Sequence, residues 1–170
     1  RSRRKLVSVI VPYFENLSFW HRTLENIASQ TYPYMEVAVL DFADGASDLQ
    51  EMLAALHLPH CIVRADSPGW GMRLAQAARG EYIQWVMPGD CLFPEKILQM
   101  VTTLELDDEL SFVLADAEET ATAEGADPER FVFSMHRSHC FVAAGAWHRA
   151  YALAAGRTPM GGLSGVLLRR

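Results

Sequence analysis

The chain has 170 residues, 50% hydrophobic and 21% charged, a globular mix long enough for one domain with a sizeable core. Its formal net charge of −6 argues against nucleic acid as the main partner, since phosphate recognition calls for clustered Lys and Arg. No apolar run reaches bilayer-spanning length, and no signal-peptide pattern opens the sequence.

Arg1, Arg3, Arg4 and Lys5 form the one basic cluster. It reads as a solvated leader, with peripheral contact to an anionic membrane as the alternative. Lys5 to Pro12 is a β-branched apolar run ended by proline, which predicts a buried parallel strand. Asn16 or Ser18 is placed to cap a helix bearing Leu24 and Ile27, and Tyr32-Pro33 stops it. Glu36 to Asp41 predicts a second strand ending in a carboxylate. Asp44-Gly45 is a turn signal, and Ser47 or Asp48 then caps a helix through Leu56. Cys61 to Arg64 reads as a third strand. After the Ser67-Pro68-Gly69 loop comes a helix with Met72, Ala75 and Ala78, which Gly80 terminates. Glu81 to Val86 predicts a fourth strand, Pro88-Gly89 a turn, and Pro94 the first turn of a helix through Leu104. Ser111 to Ala115 is the fifth predicted strand.

This alternation predicts an α/β fold with a mostly parallel sheet and helices on both faces. The rhythm stops at Asp116. Glu118 to Glu129 is acidic and reads as a surface loop, residues 130–142 as a strand or hairpin, 143–155 as a helix, and 163–168 as a last strand. Three cysteines without a CxxC pair, Cys61, Cys91 and Cys140, indicate reduced thiols and a cytoplasmic location.

Ligands of open α/β sheets bind at the carboxyl ends of the strands. The residues there are Pro12, Tyr13, Phe14, Glu15 and Asn16 after the first strand, Asp41 after the second, Asp66 to Gly69 after the third, and Met87 to Asp90 after the fourth. Aromatic rings stack on a base, Asp41 accepts hydrogen bonds from a base or ribose edge, and Asp90 offers an oxygen to a divalent metal bridging phosphates. The set suits a nucleotide diphosphate. Neither GxGxxG nor GxxxxGK[ST] occurs, so the dinucleotide and P-loop readings lose their main support. The His136-Arg137-Ser138-His139-Cys140 stretch lacks zinc spacing and reads as structural. Trp70 reads as a packing anchor, or else as a platform for a sugar ring.

Several of these segments resemble family 2 glycosyltransferases. Val7 to Phe14 is similar to the family's opening strand. Ser29-Gln30-Thr31-Tyr32-Pro33 followed by Glu36-Val37 and Asp41 is similar to its second. Ala78 to Ile83 followed by Asp90 and Pro94-Glu95-Lys96 is similar to its fourth strand and metal loop. The resemblance implies a single Rossmann-like GT-A domain over 1–170, with the nucleotide-sugar core in 6–105 and a weaker, incomplete acceptor side in 106–170. It further implies metal-dependent, inverting transfer of a sugar from a nucleotide-diphospho-sugar, most readily a UDP-sugar, to an acceptor hydroxyl, as in cell-surface polysaccharide synthesis. By position, Phe14 stands for the stacking tyrosine, Glu15 for the usual asparagine, and Asp41 for the base-binding acid with Asp44 as an accessory. Asp90 stands for the ligand to Mg2+ or Mn2+. The catalytic base is expected beyond Arg170, with further domains of a longer chain. Departures point to an alternative, a non-catalytic module that binds nucleotide or acts as a scaffold. Phe42 follows Asp41 where a second acid is usual, Gly71-Met72 replaces an Arg-Asn pair, and Met87-Pro88-Gly89-Asp90 keeps one acid of the metal motif. An unrelated nucleotidyltransferase would want a basic loop where Glu15 stands.

Overall fold

The computed structural model describes residues 5–14, 20–44, 46–66, 68–120, 130–134 and 165–170. The leader 1–4, the caps Asn16 and Ser18, Glu15, Ser67, the His136 to Cys140 stretch and the helix expected at 143–155 lie outside them.

Five strands and four helices alternate as far as Glu105: β1 (Val7–Tyr13), α1 (Trp20–Ala28), β2 (Met35–Asp41), α2 (Ala46–Ala54), β3 (His60–Arg64), α3 (Trp70–Ala77), β4 (Tyr82–Trp85), β5 (Cys91–Leu92) and α4 (Lys96–Glu105). Four strands follow: β6 (Phe112–Leu114), β7 (Asp116–Thr120), β8 (Arg130–Ser134) and β9 (Val166–Arg169). The main sheet runs β3-β2-β1-β4-β9-β6. β1 pairs in parallel with β2 and β4, and β2 with β3. β9 alone runs antiparallel, between β4 and β6.

β1 is apolar at nearly every position because it lies inside the sheet and both its faces are covered. Val7, Val9, Val11 and Tyr13 face one core, with Trp20, Leu24 and Ile27 of α1, Leu49 and Leu53 of α2, and Ile97, Met100 and Leu104 of α4. Ile10 faces the other, with Ala38, Leu40, Val63 and Leu74 of α3. Helices therefore cover both faces, as the alternation predicted. Among the described residues, no helix is long and apolar enough to cross a membrane.

Four local expectations are corrected. α2 begins at Ala46, so Ser47 and Asp48 lie inside it rather than capping it. α3 ends at Ala77 with Ala78 as its cap, and Gly80 serves close approach instead: a Cβ there would sit 2.5 Å from the Ser8 nitrogen and 2.6 Å from its Oγ. β7 occupies part of the stretch read as loop, pairing antiparallel with β8 in a second sheet ordered β5-β8-β7. Edge strands tolerate charged residues, so an acidic stretch conceals them. The last strand is Val166–Arg169, three residues later than expected at its start.

The approach at Gly80 belongs to a buried lock. The Ser8 hydroxyl donates to Glu36 Oε1 at 2.6 Å and accepts from the Gly80 N–H at 2.8 Å. The Arg79 backbone N–H donates to the same carboxylate oxygen at 2.6 Å, and its guanidinium to Oε2 at 2.9 Å. Burial pushes the Glu36 carboxyl up, but these hydrogen bonds outweigh it and hold it below the ordinary carboxylate range. The lock ties β1, β2 and the turn into β4, fixing the register of the strands whose far ends carry the site.

Candidate functional site

The carboxyl ends of β2, β1 and β4 lie side by side, because these are neighbouring strands. Tyr13 pairs with Asp41 across β1 and β2, and the Val86 N–H donates to Ile10 O at 2.9 Å as the chain leaves β4. The first, second and fourth strand ends named from the sequence thus meet on one edge.

Their side chains divide sharply. Pro12 and Tyr13 are buried. The Tyr13 ring packs edge-on against Trp20 at 5.1 Å, so it is core and not a stacking surface. Phe14 is 48% exposed and stacks on Phe42, itself 44% exposed, with centroids 5.1 Å apart and planes 15° from parallel. Trp70, at the start of α3, meets Phe42 edge-on at 6.1 Å, while its body packs against the second core. Three rings from three elements form one ledge. The role expected of Trp70 as an anchor is kept, and it also completes the ledge.

The acids are more committed than the sequence suggested. Asp41 is only 1% exposed and its Oδ1 accepts the Ala43 N–H at 3.0 Å, closing the turn after β2. Asp44 takes the left-handed conformation with φ 60°, which Asp tolerates, and pairs with the Arg64 guanidinium. Arg73 donates to Asp66 Oδ1 at 2.9 Å and to Arg64 O at 2.5 Å. Two arginines and two aspartates thus border the ledge at the ends of β2 and β3.

At the end of β4, Met87 to Asp90 form a tight turn. Gly89 has φ 93°, and the Asp90 N–H donates to Met87 O at 3.0 Å. Pro followed by a left-handed Gly is the pattern of a type II turn, which explains why those residue types stand there. The turn presents Asp90 partly exposed. Among the described residues, no three His, Cys, Asp or Glu side chains gather to hold a metal. Asp90 fits a divalent cation only as a single carboxylate, with phosphates and water supplying the remaining oxygens.

Two supports of this loop were not visible in the sequence. The first is a polar stripe on α1. Thr23 Oγ1 accepts the Gly89 N–H at 3.1 Å. Asn26 donates to Leu92 O at 2.8 Å and accepts the Leu92 N–H at 2.7 Å, as a neighbouring strand would. Gln30 donates to Phe93 O at 2.9 Å and accepts the Ile97 N–H at 3.2 Å. Thr23 and Asn26 lie three apart on one face of α1, and Gln30 continues the stripe two residues past the helix end. The second is Lys96, 1% exposed, whose Nζ donates to Gln84 Oε1 at 2.9 Å. Gln84 precedes the loop and Lys96 follows it, so this bond clasps its base. Burial pushes the Lys96 ammonium down to about 7, against the opposing pull of the Asp90 carboxylate.

No family model matches the chain. It is 28% identical over 103 residues to an uncharacterised glycosyltransferase of Rickettsia typhi, covering 58% of this chain and 32% of that protein. A Rickettsia prowazekii glycosyltransferase is 27% identical over the same span. The chain thus spans about a third of the length of the curated relatives it matches. Among solved structures it is similar to the mannosyltransferase PcManGT from Pyrobaculum calidifontis in complex with GDP-Man and Mn2+. The TM-score is 0.58 at 24% identity, over 69% of this chain and 37% of that one. It is also similar to S. aureus TarS 1-349 in complex with UDP-GlcNAc, with TM-score 0.58 at 18% identity over 72% and 36%. In fold the chain is similar to these GT-A structures, and in sequence to glycosyltransferases of two Rickettsia species.

Proposed function

We propose that the chain binds a nucleotide-diphospho-sugar across the carboxyl ends of β2, β1 and β4 and takes part in transfer of its sugar to an acceptor hydroxyl. The observation that carries this is the meeting, on adjacent strand ends, of the ledge of Phe14, Phe42 and Trp70 with the turn that presents Asp90. Strands lie about 4.8 Å apart, so the ledge and the turn are separated by roughly two strand spacings. That suits a base at one end and its diphosphate at the other.

The ledge stacks the base. Asp41 holds the turn that carries Phe42, and Asp90 holds Mg2+ or Mn2+ together with the diphosphate. A divalent cation held there would screen the charge on a departing nucleoside diphosphate. The stripe on α1 and the Lys96–Gln84 clasp keep Asp90 in place before the donor arrives, so ordering costs less on binding. Transfer by direct displacement inverts the anomeric carbon, and a UDP-sugar is the first donor to test. We assign no acceptor base. The products, by this reading, belong to surface polysaccharide chemistry.

A second reading is a binding module without turnover, favoured by the single carboxylate of the Asp90 turn. Amide chemical-shift mapping with UDP and Mg2+ tests the shared donor-site claim. Shifts clustered at residues 12–14, 41–44 and 87–92 support it, and shifts elsewhere or none refute it. Release of UDP from a UDP-sugar in the presence of acceptor extracts, abolished by Asp90→Ala, separates enzyme from module.

A further inference from the structure

We infer that Lys96 is a positioning residue of the donor site that acts by its charge: the buried ammonium beneath the Asp90 turn draws a nucleotide diphosphate to that turn and opposes a divalent cation that arrives there without one. This deepens the donor-site reading above and rests on it.

Taking an ammonium out of water is costly, and an apolar side chain of similar length would fill the same space without that cost. This chain nevertheless buries Lys96 in the first turn of α4. Its Nζ donates to Gln84 Oε1 at 2.9 Å, and the buried Gln84 amide is itself fixed by donating to Trp85 O at 2.5 Å. The bond joins the strand that enters the 87–90 turn to the helix that follows it. It therefore sets the ammonium at the base of the turn, where the Asp90 carboxylate favours its charged form. A charge in such a place is screened by little water, so it acts over several ångströms. A diphosphate at the turn is attracted by Lys96, whereas a divalent cation is a like charge. The ammonium also offsets the negative charge of Asp90, so the turn holds a cation best once the diphosphate has brought its own negative charge. A role confined to packing carries no such sign, because loosening the turn weakens both ligands.

Lys96→Met removes the charge, and Lys96→Gln removes it while keeping a donor for Gln84. Each is compared with the wild type at about pH 6, where the ammonium is charged. UDP free of metal is titrated by calorimetry, and Mn2+ alone by water-proton relaxation. Both variants are expected to bind UDP about threefold more weakly and Mn2+ about threefold more tightly than the wild type, as the loss of one charge beneath a partly solvated site gives. Thermal unfolding shows that each variant is folded, and where one is not, the other carries the test. If Mn2+ binding weakens along with UDP binding, or if either ligand is unmoved, the inference is overturned while the donor site stands. A wild-type chain that does not bind UDP overturns the donor-site reading and the inference together.

Discussion

Replacing Asn26 with Leu removes two hydrogen bonds while keeping the forked outline of the side chain. Asn26 both donates to and accepts from the backbone of Leu92 in β5, at 2.8 and 2.7 Å. Leu92 is 2% exposed, so its N–H and C=O have little access to water when Asn26 is lost. Each hydrogen bond contributes about 1 kcal/mol, and each buried group left unpaired costs about 1–3 kcal/mol. Asn26 itself is half-buried, so water reaches part of the gap and the lower half of the range applies. The predicted loss is about 2–4 kcal/mol, read as a lower urea midpoint at constant slope. Asn26→Asp keeps the acceptor for the Leu92 N–H and is predicted to lose about half as much. Native-state hydrogen exchange should show the Leu92 amide losing protection in Asn26→Leu, with the effect spreading toward Gly89 and Asp90. A loss below about 0.5 kcal/mol with the Leu92 amide still protected would refute the claim that α1 holds the loop.

Gly80→Ala places a Cβ against the Ser8 nitrogen and the Tyr82 carbonyl oxygen, both backbone atoms that cannot swing aside. A cost of about 3 kcal/mol, or a fall in Tm of about 6–12 °C, is expected, and an unchanged Tm would contradict the close approach. Lys96 titrates near 7 in the folded chain against 10.5 for a free lysine. Between those values the unfolded chain binds the extra proton, so wild-type stability gains from this group as pH rises through the window. Lys96→Met should remove that slope and be no less stable below pH 7; an unaltered slope would show that Lys96 is not buried. Glu36 is held below its unfolded value of 4.5, so its contribution is present above that pH and is lost as pH falls below it. Glu36→Gln should flatten acid unfolding there, and an acid limb identical to the wild type would count against the lock.

The parallel sheet was legible because β1 and β2 are buried along their whole length and their sequences are correspondingly apolar. Val7 to Val11 is apolar at every position but Ser8, whichever face a residue takes, and a strand covered on both sides needs that. The strand ends were legible too, since Asp41 and the Pro88-Gly89-Asp90 turn are where apolar runs stop. β5 escaped notice because two residues make no pattern, and its partner β8 lies some forty positions further on. The α1 stripe escaped for another reason. Thr23, Asn26 and Gln30 look like a solvated helix edge, and only the arrival of the 89–97 backbone beside them turns solvent-seeking groups into loop supports. Lys96 likewise reads as a surface lysine at a helix start until Gln84 is seen beneath it. The commitments of Asp41 and Asp44 follow from turn geometry that residue type alone does not specify. Phe42 was read as the loss of an acid, whereas in the structure it is the gain of a ring.

The central claim is a donor site that joins the aromatic ledge to Asp90. Calorimetric titration of UDP into the chain, with and without Mn2+, in wild type and Asp90→Ala, tests it most directly. The account predicts binding that Mn2+ strengthens in the wild type, and weaker binding indifferent to Mn2+ in Asp90→Ala, with both proteins equally folded. Equal Mn2+ dependence in the two proteins, or no binding in either, would contradict it.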